Sequence, residues 1–214
     1  MIEAVIFDMD GVISDTQKLH AKIESEILNR FGIPITPDEI TEKYAGVKTT
    51  EFISELLNRN GSKFDLAELM KEKWDMMEKL SKSRVDEIPG AISLIKMLDK
   101  AKTKLAVASA SNTNYALSVL DKLGIRNYFG AVVTGEMVLK GKPDPQIFLL
   151  AAKKIDAEPG ECVVIEDGRS GIQAANAAGM KSIGLVKNMN SDFPTNNLVI
   201  SLSEITIEYL NNLN

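Results

Sequence analysis

Two aspartates one residue apart, Asp8 and Asp10, end the apolar run that opens the sequence, and Gly11 follows them at once. Such a pair costs free energy unless a cation or a proton relieves its repulsion. Complementary groups stand at three other places. Ser109, with Ser111 and Asn112 behind it, ends the run KLAVASA. Lys142 lies in the loop GEMVLKGKPDP, directly before a proline, and Glu166 and Asp167 close the run CVVIE ahead of Gly168 and Gly171. Carboxylates in this number suit a hard cation with oxygen ligands, and a hydroxyl and an ammonium suit phosphate oxygens.

These groups can work together only if the fold assembles them. Five β-rich runs are legible at 3–7, 104–110, 131–134, 162–166 and 182–186, and LVI at 198–200 adds a sixth. They are continuously apolar rather than alternating, as strands covered on both faces are. Helical patterns separate most of them, which predicts an α/β, Rossmann-like parallel sheet with helices on both faces. Ligands of such a sheet bind beyond the carboxyl ends of its strands. Asp8, Asp10, Ser109, Glu166 and Asp167 should therefore share one edge, with Lys142 in a loop on that edge. Asp8 and Asp167, with an oxygen from Asp10, form a site for Mg²⁺. Ser109, Lys142 and the amides of the turn Met9–Gly11 are donors for a phosphate. Each group has a plainer reading by itself: turn former, helix cap or solvated lysine. Those readings do not explain why all of them fall at the same edge.

Between the first two strands the rhythm breaks. Residues 16–83 carry four helical patterns and no strand. The first places Leu19, Ile23, Ile27 and Phe31 on one face and stops at Gly32. The second opens with Thr36, Pro37 and Glu39, a capping box, and stops at Gly46. The third carries Phe52, Ile53, Leu56 and Leu57 and stops at Gly61. The fourth starts at Asp65, and its Leu66, Leu69, Met70, Trp74 and Met77 read as core. An all-helical cap at 16–83, inserted into a core of 1–15 and 84–214, follows, with crossings near 14–17 and 81–88 acting as hinges.

Composition narrows the partners. The chain has 214 residues, of which 44% are hydrophobic, enough for a real core, and a formal net charge of −5. No basic tract interleaves with aromatics, so neither nucleic acid nor anionic membrane is expected to bind. An acidic protein that binds phosphate must do so with a local cation. The single cysteine, Cys162, reads as a small core residue. No signal peptide or membrane-spanning stretch is legible, so a cytoplasmic location is expected, and a monomer is the expected state.

The motifs D-x-D-G-V, a serine at the second strand end, G-K-P-D-P and E-D-x-x-x-G occur in order and resemble those of the haloacid dehalogenase superfamily. The resemblance covers nearly the whole chain. It is closest to the β-phosphoglucomutase-like phosphatases and mutases, which carry a helical cap after the first strand. It implies Asp8 as a nucleophile forming an aspartyl phosphate and Asp10 as general acid, then base. Ser109 and Lys142 would hold the phosphoryl group. Asp167 would ligate Mg²⁺, with Glu166 as ligand or partner and the Asp10 carbonyl facing the metal. A true dehalogenase needs neither Asp10 nor the acidic pair, so that activity is disfavoured. Gly11, Thr16, His20, Ser111 and Asn112 join the expected substrate-contacting set, His20 by coupling the cap to Asp10. From the cap, the loop 44–50 brings Lys48 and Thr49, and Lys73 follows from the fourth helix. Related mutases carry an arginine where Thr49 stands, to grip a second phosphate. The expected function is thus a Mg²⁺-dependent phosphatase of a small phosphorylated metabolite, of sugar-phosphate type. A β-phosphoglucomutase is the alternative. A phosphoaspartate signalling module is disfavoured by the helical insert and by an acid/base at Asp10.

Overall fold

The structure, a computed structural model, describes residues 2–44, 47–61, 65–83, 85–189 and 192–213. Six strands form one sheet: β1 (Ala4–Phe7), β2 (Lys104–Ser109), β3 (Ala131–Thr134), β4 (Cys162–Glu166), β5 (Lys181–Leu185) and β6 (Leu198–Val199). All pairs are parallel, in the order β3-β2-β1-β4-β5-β6. This is the doubly wound order, and its switch point lies where β1 meets β4, at the crevice that such sheets use for ligands. The register sets Phe7 opposite both Val107 and Ile165, so the residues past β1 emerge beside the end of β4.

Strand alternation divides the core in two. Val5, Phe7, Val107 and Ile165 face one side, packed with Leu94 and Leu98 of α5 (Ala91–Lys100) and Val119 of α6 (Thr113–Lys122). Ala4, Ile6, Ala108 and Val164 face the other, against Phe148 of α7 (Gln146–Lys154) and Ala174 of α8 (Arg169–Ala177). Small residues on this second side let α7 and α8 lie close to the sheet. Cys162 belongs to it, a buried thiol pushed up to about 11 by burial. Phe7 is fully buried, and truncating such a side chain to alanine typically costs about 3–5 kcal/mol.

Four helices intervene between β1 and α5: α1 (Gln17–Arg30), α2 (Pro37–Tyr44), α3 (Thr49–Arg59) and α4 (Leu66–Ser83). The capping box forms as expected, with the Thr36 amide donating to Glu39 at 2.9 Å and the Glu39 amide to Thr36 Oγ1 at 3.2 Å. Gly32 and Gly61 have positive φ where α1 and α3 end. Gly46, expected to stop α2, and Arg84, expected to begin the core again, lie outside the described residues. Ile23, Ile27, Phe52, Ile53, Leu69 and Met77 bury this helical layer and run on into the first core cluster. The chain leaves and returns side by side: Ile88 N donates to Ile13 O and Asp15 N to Asp86 O, both at 2.9 Å. The short α9 (Ile207–Asn211) closes the chain. No helix among the described residues is long and apolar enough to cross a membrane.

Candidate active site

The amide of Asp8 continues the ladder onto Ile165 O at 2.9 Å, and the chain then folds into a tight turn in which Ile13 N and Ser14 N both donate to Met9 O. Gly11 has φ +98°, and a Cβ there would stand 2.1 Å from Asp167 Oδ2. A glycine is therefore required for the turn to close onto that carboxylate. Gly171 stands in the same relation to Glu166, whose Oε2 would lie 2.0 Å from an added Cβ. The result is a cluster in which Asp8, Glu166 and Asp167 each offer an oxygen within 4.8 Å of the others. Lys142, 1% exposed, donates to Asp8 Oδ1 at 2.5 Å, to Glu166 Oε2 at 2.7 Å and to Ala108 O at 3.2 Å.

Three carboxylates thus face one ammonium in a buried site, and their proton affinities register the imbalance. Burial, then the charge of Glu166, pushes Asp8 up to about 8 against the pull of Lys142. Burial, then Glu166 and Asp8, raises Asp167 well above the usual carboxylate range. Burial works to lower Lys142, but Asp8 and Glu166 overcome it and hold the ammonium charged above its ordinary value. A buried oxygen cluster with surplus negative charge is what a divalent hard cation neutralises, so the residues present fit one.

Asp10 turns away from this cluster. Its Oδ1 accepts from Thr16 Oγ1 at 2.5 Å and lies 3.2 Å from His20 Nε2. Its Oδ2 accepts from Ser111 Oγ at 2.9 Å and from Ser109 Oγ at 3.4 Å. Burial would raise its pKa, but the His20 charge and the bonds from His20, Thr16 and Ser111 prevail and lower it to about 2. The two aspartates that the sequence sets one residue apart are thus separated by partners: Asp8 goes to an ammonium, Asp10 to an imidazole and three hydroxyls. His20 itself is wedged edge-on against Tyr115 of α6 and Trp74 of α4, at ring-centroid distances of 5.1 and 5.9 Å. It ties α1 to both.

Asp8, Asp10 and Ser111 from the sheet edge and His20, Glu24 and Thr49 from the helices line one cavity of about 50 Å³. Small-molecule pockets are typically about 300 Å³ or larger, so the space between these residues is narrow. Lys73, expected to contact substrate, is wholly buried and outside this lining, and donates to Glu24 Oε1 at 2.5 Å and to Thr49 Oγ1 at 2.6 Å.

Not every expected contact reaches the cavity. The Lys48 ammonium instead donates to Val138 O at 3.1 Å, fastening α3 to the loop that carries Lys142. Asn112 caps α6, accepting from Tyr115 N at 2.8 Å. Gly11 serves the acidic cluster through its backbone. Three residues were not anticipated in these places: Glu24, Tyr115 and, as a wall for His20, Trp74. Glu24 had a signal, since it falls on the apolar stripe of α1 one turn after His20, where a carboxylate is out of place.

The chain matches the family of haloacid dehalogenase-like hydrolases over residues 5–185. It is 33% identical to a phosphorylated carbohydrates phosphatase of Thermotoga maritima, over 88% of each chain. It is 34% identical to the β-phosphoglucomutase of Bacillus subtilis, over 98% of this chain and 94% of that one. The crystal structure of a β-phosphoglucomutase from Clostridium difficile superposes with a TM-score of 0.86 at 31% identity, covering 99% of this chain and 96% of the other. The chain belongs to the haloacid dehalogenase-like hydrolase family, in its β-phosphoglucomutase-like branch, and is a phosphohydrolase or phosphotransferase.

Proposed function

We propose that this protein is a Mg²⁺-dependent phosphatase that hydrolyses a small phosphomonoester, of sugar-phosphate type, through an aspartyl phosphate. The observation that carries this reading is the separation of two neighbouring carboxylates into different chemistries. Asp8 belongs to a cation-seeking cluster with Lys142, Glu166 and Asp167. Asp10 is held apart by Thr16, His20 and Ser111.

In the first half-reaction an oxygen of Asp8 bonds to phosphorus and the ester bond breaks. Asp10 gives its proton to the leaving oxygen. In the second, Asp10 takes a proton from water, the water oxygen bonds to phosphorus, and the bond to Asp8 breaks to release phosphate. Lys142 and Ser109 hold the transferring group in this reading, and in-line placement with charge neutralisation supplies most of the catalysis. Asp8, Asp167 and the Asp10 carbonyl, with Glu166 as a ligand or its partner, would hold the Mg²⁺, which when bound neutralises phosphoryl and carboxylate charge. A phosphoryl dianion beside Asp10 raises its proton affinity, and the hydroxyls of Thr16 and Ser111 keep its carboxyl aimed. Residues 16–83 act as a cap over a core of 1–15 and 84–214. The cap moves to admit a sugar phosphate, because the cavity of about 50 Å³ is too narrow for one.

A phosphomutase is the second reading, favoured by the identity with the Bacillus subtilis enzyme. Against it, Thr49 offers one hydroxyl, already bonded to Lys73, where a bisphosphate intermediate would need a charged fork. One experiment tests both readings. Phosphate release from hexose phosphates is measured beside glucose 6-phosphate formation from β-glucose 1-phosphate, with Mg²⁺ and with excess EDTA. Release that needs Mg²⁺ and exceeds interconversion supports the phosphatase; full activity in EDTA removes the metal site as drawn. Asp10→Asn should lose roughly 10²–10⁴-fold on sugar phosphates and much less on p-nitrophenyl phosphate, whose leaving group needs no proton. Equal losses take the acid role from Asp10.

A further inference from the structure

The cap wall of the cavity holds a second buried ion pair for which the two half-reactions have no use. Glu24 lies on the buried face of α1, among Ala21, Ile23, Ile27 and Leu28 with His20 and Ser25, and Lys73 lies on that of α4, between Leu69, Met70 and Met77. They are 4% and 0% exposed. Burying two charges is costly, and hydrophobic residues of similar volume would brace the two helices as well. The pair therefore calls for an explanation other than stability.

Its geometry supplies one. The Lys73 ammonium donates to Glu24 Oε1 and to Thr49 Oγ1, and lies 4.4 Å from the centroid of the Trp74 ring. Thr49 in turn donates to Glu24 Oε1 at 3.3 Å. The ammonium is thus consumed inside the protein. Lys73 is not part of the cavity wall, whereas Glu24 and Thr49 are. Both protein bonds to the Glu24 carboxylate go to Oε1; among the described residues none is made to Oε2. What the helices present to the cavity that Asp8 also lines is therefore a carboxylate oxygen able to accept and a threonine hydroxyl, beside a cation already neutralised.

We infer that Glu24 is a specificity-determining residue that makes the cap end of the cavity a reader of hydroxyl groups. It selects phosphomonoesters whose remainder is a neutral polyol over those bearing a second phosphate or another anion. Ligand hydroxyls donate to the Glu24 carboxylate. A second phosphate placed there meets like charge beside partly buried groups, where charges act more strongly than in water, and among the described residues no lysine or arginine lines the cavity to offset it. The inference rests on the phosphatase reading for its substrate class, but not for its test.

Binding is read separately from turnover. The rise in Tm of Asp8→Asn protein is measured with a hexose 6-phosphate, a hexose 1,6-bisphosphate and p-nitrophenyl phosphate in Mg²⁺ buffer. In parallel, kcat/KM of the native enzyme is measured for the same three. The monophosphate should be preferred over the bisphosphate by roughly 100-fold or more, and Glu24→Gln, which leaves the Lys73 charge uncancelled, should narrow that ratio at least about tenfold. Equal binding of the two esters by Asp8→Asn protein overturns the inference, whether or not Glu24→Gln folds. So does an unchanged ratio in a folded Glu24→Gln protein, which would mark the pair as a brace only. Hydrolysis of p-nitrophenyl phosphate without selectivity leaves the phosphatase standing and this inference refuted. Selective binding without hydrolysis does the reverse.

Discussion

Among the described residues two lysines are almost wholly buried, and they live in opposite electrostatic worlds. Lys142, at the sheet edge, faces Asp8 and Glu166 with Asp167 close behind, so its cluster carries an excess of acid. Lys73, in the helical layer, pairs among the described residues with the one carboxylate of Glu24, and Thr49 and the Trp74 ring join its shell. One cluster is unfinished without a further cation; the other is closed and complete. Buried charge is thus not one device here. Surplus charge poises a site for a metal and a phosphate, whereas balanced charge gives a wall that is polar without being attractive to anions.

The comparison can be broken most forcefully by removing one charge from each cluster. Asp8→Asn should lose turnover by roughly 10⁴-fold or more, as losing a nucleophile does. Yet at pH 9, where Asp8 has shed its proton, the metal-free variant should unfold at equal or higher urea than the parent. Lys73→Met should do the opposite to stability, costing about 3–5 kcal/mol by stranding the Glu24 carboxylate. Urea unfolding of both variants checks the pair of signs. Similar destabilisation by both would mean that the sheet-edge cluster is as balanced as the cap pair.

A smaller effect sharpens the same contrast through pH. Folding raises the Asp8 pKa from 3.8 to about 8. Between those values the folded chain keeps a proton that the unfolded chain has released. The stability of the metal-free protein should accordingly fall as pH rises from about 4 to 8, and Mg²⁺ should flatten that slope by favouring the ionised cluster. Thermal melts over this range, with EDTA and with Mg²⁺, provide the reading; a slope indifferent to Mg²⁺ would separate the cluster from the metal. The smallest effect belongs to neither lysine. Lys48 holds the helical layer to the core through one bond to Val138 O, so Lys48→Ala should weaken closure by about 0.5–1.5 kcal/mol. That should appear in KM as a few-fold change, with p-nitrophenyl phosphate affected least.

The sheet and its edge were legible because both depend on local signals: apolar runs covered on two faces, and polar residues at the first position past each run. Asp8, Asp10, Ser109, Lys142, Glu166 and Asp167 come together because parallel strands share a direction. What could not be read is where long side chains go from loops and helix ends. Lys48 has the reach to enter the cavity or to cross to the core, and only the neighbouring Val138 carbonyl decides it. Asn112, rather than Ser109, caps α6, since Ser109 is still in the strand. Glu24 sits on a stripe that was read for its apolar members, and Lys73, expected to contact substrate, turns instead to Glu24 and Thr49 outside the cavity lining, a pairing that needs both helices in view.

The paired hydrogen bonds at the two crossings bear on how the chain reaches this state. Val5 must find Leu105, and beyond it Val163, with the whole helical layer lying between in sequence. Closing a loop of that length is entropically slow when the loop is unstructured. If α1–α4 condense first, Ile13 and Ile88 are brought within hydrogen-bond reach, and the separation that β1 must bridge shrinks to the turn after β1 on one side and α5 on the other. The layer that covers the site then also serves as the folding clamp that delivers the first strand to the middle of its sheet.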